Sequence, residues 1–148
     1  MLTNDKLLDP DNPEFVLGVK QMDDTHQEFI ELLNRMPALQ GQEFHDAFEQ
    51  LIQHTREHFE SEGELMKQSA FPANREHDSE HLRVLGEMEQ MKRSMLKRGS
   101  TQIARGYVEL GMPIWFKLHA ATMDSALAAH IKSRPTTVGG IAIEVTPQ

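Results

Sequence analysis

The apolar positions of the chain fall into four helical patterns. The second orders the rest: Phe44, Phe48, Leu51, Thr55, His58, Glu62 and Leu65 follow one another at alternating steps of four and three. That is the seam of a helix packed into a bundle. The helix spans about Gln42 to Gln68. Ahead of it, Asp23, Asp24 and Thr25 are N-cap types before a face of Phe29, Ile30, Leu33 and Met36 that also carries His26. That first helix ends near Ala38, where Pro37 and Gly41 break the pattern. Behind the second helix, the loop Phe71-Pro72-Ala73-Asn74 offers Asn74 as the cap of a third, running to about Lys97 with the seam His77, His81, Val84 or Leu85, Met88, Met91 and Met95. Gly99 and Ser100 form a stop and a new cap. A fourth helix then runs from about Thr101 to Lys132, and Pro113 inside it predicts a kink or a break.

Four helices with connections of a few residues imply an all-α, antiparallel up-down-up-down bundle. The chain has the length of one ordinary domain. Its expected parts are an extended N-terminal arm (1–22), the bundle (23–132) and a C-terminal tail (133–148). In the tail, the apolar group Val138 to Val145 reads as an extended segment packed on the bundle or as a mobile end.

The seams hold an anomaly. A buried carboxylate or imidazole costs several kcal/mol unless something pairs with it, yet His58 and Glu62 lie on the second seam and His77 and His81 on the third. Topology brings such residues together. His26 is near the start of helix one, His77 and His81 near the start of helix three, His58 and Glu62 near the end of helix two, and His119 and Asp124 in the later part of helix four. In an up-down-up-down bundle all seven lie toward one end. Residues four apart are offset by roughly 40° on a helix and can grip one ion; His58/Glu62 and His77/His81 have that spacing. His119 and Asp124, five apart, are offset by roughly 140° on an ideal helix, so they straddle the inward face or the helix bulges.

Composition narrows the chemistry. The 148 residues include no cysteine, so any metal must use imidazole and carboxylate ligands. A net charge of −8 argues against nucleic acid and anionic membrane. No apolar run reaches membrane-spanning length and no signal-peptide pattern opens the sequence, so a cytoplasmic location is expected. Five imidazoles and two carboxylates exceed one four-coordinate zinc site and suit two ions with bridging carboxylates. Imidazole with carboxylate suits iron, and manganese, zinc or cobalt could enter. The His-Glu-x-x-His of zinc proteases is absent, and no Glu stands three before a His as in ferritin-like di-iron helices.

This pattern resembles the hemerythrins, specifically the bacterial single-domain kind. The family pattern is a His on helix one, His-x-x-x-Glu on helix two, His-x-x-x-His on helix three and His-x-x-x-x-Asp on helix four; Phe59 after the helix-two His and Trp115 before the helix-four His agree as well. The match spans about Phe15 to Lys132. The resemblance implies a non-haem di-iron site with an oxo or hydroxo bridge. One iron would be held by His77, His81 and His119 and the other by His26 and His58, with Glu62 and Asp124 bridging. Dioxygen would bind reversibly at the open position beside His26 and His58, and azide or nitric oxide could enter the same place. Phe29, Phe59, Trp115, Phe116 and Ala120 are expected around this pocket. Gly63 stands where the family often has a second Glu, and Phe116 and Ala120 where larger aliphatic residues are usual.

Among the remaining histidines, His54 shares a face with His58 and is expected at the surface, as are His45 and His130. Asp23, Glu57 and Glu80 are acidic groups that could orient imidazoles. The function expected is reversible oxygen binding rather than catalysis. A di-iron oxidase, peroxidase or nitric-oxide-handling enzyme, and an oxygen or redox sensor acting through a partner, are the alternatives.

Overall fold

The computed structural model describes residues 6–134, 137–138 and 141–145. The expectations for the arm and tail also cover residues 1–5, 135–136, 139–140 and 146–148, which lie outside the described residues. Four helices form an all-α bundle of the expected kind: α1 (Lys20–Arg35), α2 (Gly41–Gln68), α3 (Asn74–Arg98) and α4 (102–133). Helices adjacent in sequence pack side by side.

Local chemistry sets the helix ends. Asp23 does not cap α1, which starts earlier with Val19 at its N-cap. The Asp23 carboxylate instead reaches back and accepts hydrogen bonds from the backbone N–H groups of Leu17 (2.8 Å) and Gly18 (3.1 Å), fixing the entry of the chain. Asn74 likewise is the first residue of α3, behind an N-cap at Ala73. Gly99 ends α3 at φ 63, a left-handed conformation that glycine adopts without penalty. The same conformation ends α2 at Ala70, φ 55. There the Phe71 N–H bonds back to the Met66 carbonyl at 2.9 Å.

The fourth helix runs on unbroken through Pro113. Two π turns interrupt it, Tyr107–Gly111 and Ala120–Asp124. The first lies directly before Met112–His119, the α-helical segment that contains Pro113. A π turn bonds i to i+5. The widened turn therefore takes up the missing N–H and the ring at Pro113 without ending the helix.

The arm is less extended than expected. Pro13–Phe15 forms a 3-10 turn capped by the Asn12 side chain. Asn34 clamps Leu8 from both sides, accepting from its N–H (3.0 Å) and donating to its carbonyl (2.7 Å). At the other end of the chain, Thr137–Val138 pairs antiparallel with Ile141–Ala142. Val145 bridges to Val19, and the Lys20 N–H donates to the Glu144 carbonyl at 3.0 Å. This part of the tail is an extended segment held on the bundle.

Two apolar clusters form the core. The larger holds Phe15, Phe29, Leu33, Phe44, Phe48, Leu51, Met88, Met95, Val108 and Phe116. The smaller holds Leu17, Val19, Met22, Leu65, Met66, Leu127 and Ile131. On α1, α2 and α4 the polar seam residues fall between the two, so the site has an apolar layer on either side.

Candidate metal centre

The buried polar residues of the bundle include all seven seam residues. His26, His58, Glu62, His77, His81, His119 and Asp124 are each at most 5% exposed. They form two groups of potential ligand atoms, within each of which every atom is within 4.8 Å of the others. One group is Glu62, His77, His81, His119 and Asp124; the other is His26, His58, Glu62 and Asp124. Glu62 and Asp124 belong to both.

The π turn at Ala120–Asp124 makes this possible. It follows His119 directly, and across a turn bonded i to i+5 two residues five apart share a face. His119 Nε2 and Asp124 Oδ1 are 3.1 Å apart. Of the two solutions open to a five-residue spacing, the helix bulges.

The two carboxylates sit among the imidazoles. Glu62 Oε2 is 2.8 Å from His58 Nε2, and Glu62 Oε1 is 3.2 Å from Nε2 of both His77 and His81. Asp124 Oδ2 is 2.9 Å from His26 Nε2, and its Oδ1 is 3.1 Å from His77 Nε2. The Nε2 atoms of His81 and His119 approach to 3.2 Å. Despite these short distances, Glu62 Oε1, Asp124 Oδ1 and His77 Nε2 are buried without a hydrogen-bond partner. Buried lone pairs left unpaired are costly, and a cation shared among them would remove that cost. The donor set of imidazole and carboxylate without thiolate suits borderline first-row metals. The residues present fit a metal centre.

Protonation in the metal-free protein follows from the same contacts. Burial alone pushes His26 down, but the Asp124 and Glu62 carboxylates beside it prevail and hold it at about 10. His77 is held at about 9 by the same pair against the same burial. Burial keeps His81 below the usual histidine value. Burial pushes Glu62 up, yet the charge of His58 and contacts with His26 and His77 hold it well below the ordinary carboxylate range. Asp124, pushed up by burial and by Glu62, is drawn below its usual value by His119, His26 and His77.

Ring packing surrounds the imidazoles where polar partners are missing. The Nδ1 atoms of His26, His58, His77 and His81 have no hydrogen-bond partner. Phe59 instead stacks parallel on His81 with ring centroids 3.7 Å apart, and Trp115 stacks on His119 at 4.6 Å. The edge of Phe116 meets His26 at 5.1 Å. Phe116 stacks in turn on Phe29, and Ala120 is fully buried beside the same cluster. Phe15 from the arm also packs on Phe116, at 5.2 Å. Phe15 is not among the residues expected around the pocket. The Pro-Glu-Phe turn that aims it inward gave no helical periodicity to read.

None of Asp23, Glu57 and Glu80 bonds an imidazole of the cluster. Asp23 anchors the arm, and Glu57 accepts from Gln53. Glu80 accepts the Trp115 indole N–H at 2.9 Å while bound by Arg83, so it reaches His119 only through the stacked Trp115. His54 pairs with the exposed Glu28 at 3.1 Å and belongs to neither ligand group. His130 is half-buried, its Nε2 2.7 Å from the Ser69 carbonyl, and His45 is half-buried too. Gly63 borders open space, since a Cβ placed there meets nothing within 4 Å.

A four-helix bundle with seven ligand-type side chains converged in its interior defines a helical metal-binding protein. Residues 17–133 match the family model of the hemerythrin HHE cation binding domain, and the chain belongs to the hemerythrin family. It is 30% identical over 118 residues to a bacteriohemerythrin from Ralstonia nicotianae, covering 80% of this chain and 85% of that protein. No solved structure matches the chain. No helix among the described residues is long and apolar enough to cross a membrane.

Proposed function

We propose that the chain binds dioxygen reversibly at a pair of iron ions and serves in oxygen carriage, storage or delivery inside the cell. The observation that carries this is the division of the donors into two groups sharing Glu62 and Asp124. His77, His81 and His119 would hold one ion, His26 and His58 the other, and the two carboxylates would join them. The ion with fewer imidazoles keeps a place for a small ligand. The name of the Ralstonia relative agrees with this assignment. Two iron ions supply two electrons that can be lent to dioxygen and recovered.

The work of the chain is to hold and to exclude. Glu62 and Asp124 stay ionised at neutral pH and offset the charge of the ions. The rings of Phe29, Phe59, Trp115 and Phe116, with Ala120, surround the donors with apolar surface. Such a layer keeps out the water that would promote irreversible oxidation. A cleft of about 330 Å³ between Phe71, Met123 and Ala126 reaches His77 from outside, on the side of the ion held by three imidazoles and away from the small-ligand place at His26 and His58. Azide and nitric oxide would compete for the same place.

Spectroscopy with iron analysis on anaerobically reduced protein tests the assignment. Two irons per chain are expected. Admitting oxygen should produce a charge-transfer absorption band that vanishes when oxygen is removed. Irreversible oxidation on the first exposure would rule out carriage and point to an oxidase or peroxidase.

A further inference from the structure

The outward faces of α2 and α4 differ sharply. Apart from Gly41, the exposed positions of α2 are all polar, from Glu43 and Asp46 to Glu60 and Glu64. On α4, Leu110, Ile114 and Leu118 are 67%, 64% and 65% exposed. Gly106 and Thr122 continue the row at the same spacing of four, both exposed. On a plain α-helix a row of every fourth residue drifts around the axis by roughly 40° per step. The π turns at Tyr107–Gly111 and Ala120–Asp124, with more residues per turn, reduce that drift at the two ends of the row. The result is an exposed stripe whose apolar centre, Leu110 to Leu118, is roughly 12 Å long.

We propose that this stripe is the contact surface of a homodimer, in which the fourth helices of two copies pack antiparallel about a two-fold axis at Ile114. The occupant follows from the symmetry of the stripe. Leu110 and Leu118 stand four residues either side of Ile114, and the small Gly106 and Thr122 eight residues either side. A two-fold axis at Ile114 therefore sets Leu110 against the partner's Leu118 and Gly106 against the partner's Thr122, a self-complementary contact. Charge chooses the direction. Glu109 and Lys117 are exposed, and each immediately precedes a leucine of the stripe, so both lie on one flank. Antiparallel packing brings Glu109 to the partner's Lys117 twice, whereas parallel packing about a two-fold axis would turn this flank toward the partner's Tyr107 and Trp115 and leave both charges unpaired. The other flank is occupied within the chain, where Tyr107 bonds Glu87 and Trp115 bonds Glu80. Among the described residues Glu109 has a single long contact, 3.8 Å to Arg105, which leaves it available to pair across the axis. A chain of net charge −8 repels its own copies most weakly where the surface is least charged, and this stripe is such a place.

One helix face of this length buries less than the roughly 800 Å² per partner of a standard interface, so the dimer should be concentration-dependent. Sedimentation equilibrium on the full chain, from micromolar to millimolar, reads this directly. The mass should rise toward twice that of the chain. Ile114→Glu puts two like charges at the axis and should leave a monomer with unchanged helical circular dichroism and metal content. Glu109→Lys and Lys117→Glu should each weaken association by about tenfold, and the two together should restore it. A monomer at all concentrations, a dimer undisturbed by Ile114→Glu, or a double swap as weak as the single ones would each overturn the proposal.

Discussion

The two ends of the bundle use the same four seams for opposite purposes. At one end Phe44, Phe48, Leu51, Met88, Met95 and Val108 pack with no polar partner to satisfy. Toward the other, before the smaller apolar cluster closes the bundle, the seam positions carry five imidazoles and two carboxylates, several of whose atoms have no hydrogen-bond partner. The apolar end is stabilised by burial, which is insensitive to protons and metal. The polar end is held by pairings that depend on both. A helical seam is therefore a geometric device that accepts either chemistry, provided each buried charge meets an opposite one. Here the change falls within about one turn on each helix, as at Leu51, Thr55 and His58 on α2.

Removing a shared carboxylate should have the largest effect. Asp124→Ala takes one partner from His26, His77 and His119 at once. Breaking a buried ion pair from one side costs about 3–5 kcal/mol, and both ligand groups lose a member. Urea unfolding of the metal-free variant should show that loss, and metal analysis should show less than half the normal content. Normal loading would refute the shared role of Asp124. Phe48→Ala makes the complementary break at the apolar end. It should cost about 3 kcal/mol through the cavity it leaves, while metal content per folded chain stays as in the parent. A variant at Phe48 that lost metal would show that the two ends are not separable.

Protons distinguish the ends next. In the metal-free protein the folded values of His26 and His77 are raised to about 10 and about 9. Their contribution to stability is full below the ordinary histidine value near 6.5 and is lost as pH rises through 9 to 10. Glu62 and Asp124 are shifted down, so theirs is present above about 4.5 and is lost as pH falls. The metal-free protein should melt highest near pH 6.5, because His81, held by burial below its usual value, costs stability as pH falls further. At neutral pH the metal must displace the protons of His26 and His77. Calorimetry in buffers of different ionisation enthalpy should therefore find about two protons released per chain on loading. Release of none would mean that the imidazoles are neutral before the metal arrives.

The clustering of the seven polar seam residues was legible because its signal is local. Pairs such as His58/Glu62 and His77/His81 recur at helical spacing, and up-down topology gathers them at one end without further information. The five-residue gap from His119 to Asp124 narrowed the fourth helix to two options, a straddled face or a bulge, and packing decided between them. What sequence could not show was the competition for each side chain. Asp23 has the chemistry of an N-cap, yet the N–H groups of Leu17 and Gly18 claim it. Glu80 could have oriented an imidazole, but Arg83 and Trp115 hold it. The π turn before Pro113 and the inward turn of Phe15 depend on packing that leaves no periodic trace.

Glu80 gives a smaller test of the polar end. Its carboxyl is held at about 2, mainly by the Arg83 guanidinium and with help from the Trp115 indole. A depressed value means that this contribution is present above about 4.5 and persists until pH falls through about 2. Glu80→Ala leaves the Trp115 indole N–H without its acceptor, a loss of about 1 kcal/mol. The fluorescence of Trp115, the sole tryptophan, should shift. Metal content should not change, because Glu80 touches no donor. Falling metal content would make Trp115 a determinant of His119 geometry rather than only its cover.

The smallest effect lies where α2 leaves the polar end. Both α2 and α3 finish on a left-handed residue, but α3 uses Gly99 and α2 uses Ala70. A Cβ in that conformation costs roughly 1 kcal/mol, and glycine, freer in the unfolded chain, gives part of that back. Ala70→Gly should therefore raise stability by about 0.5 kcal/mol. The polar end gains slightly while the apolar end, already closed by Gly99, has no equivalent to gain. Thermal unfolding of the metal-free protein resolves such a difference. An unchanged or lower melting temperature would show that the exposed Ala70 methyl carries no net strain, and that the turn from Met66 to Phe71 is set by its hydrogen bonds alone.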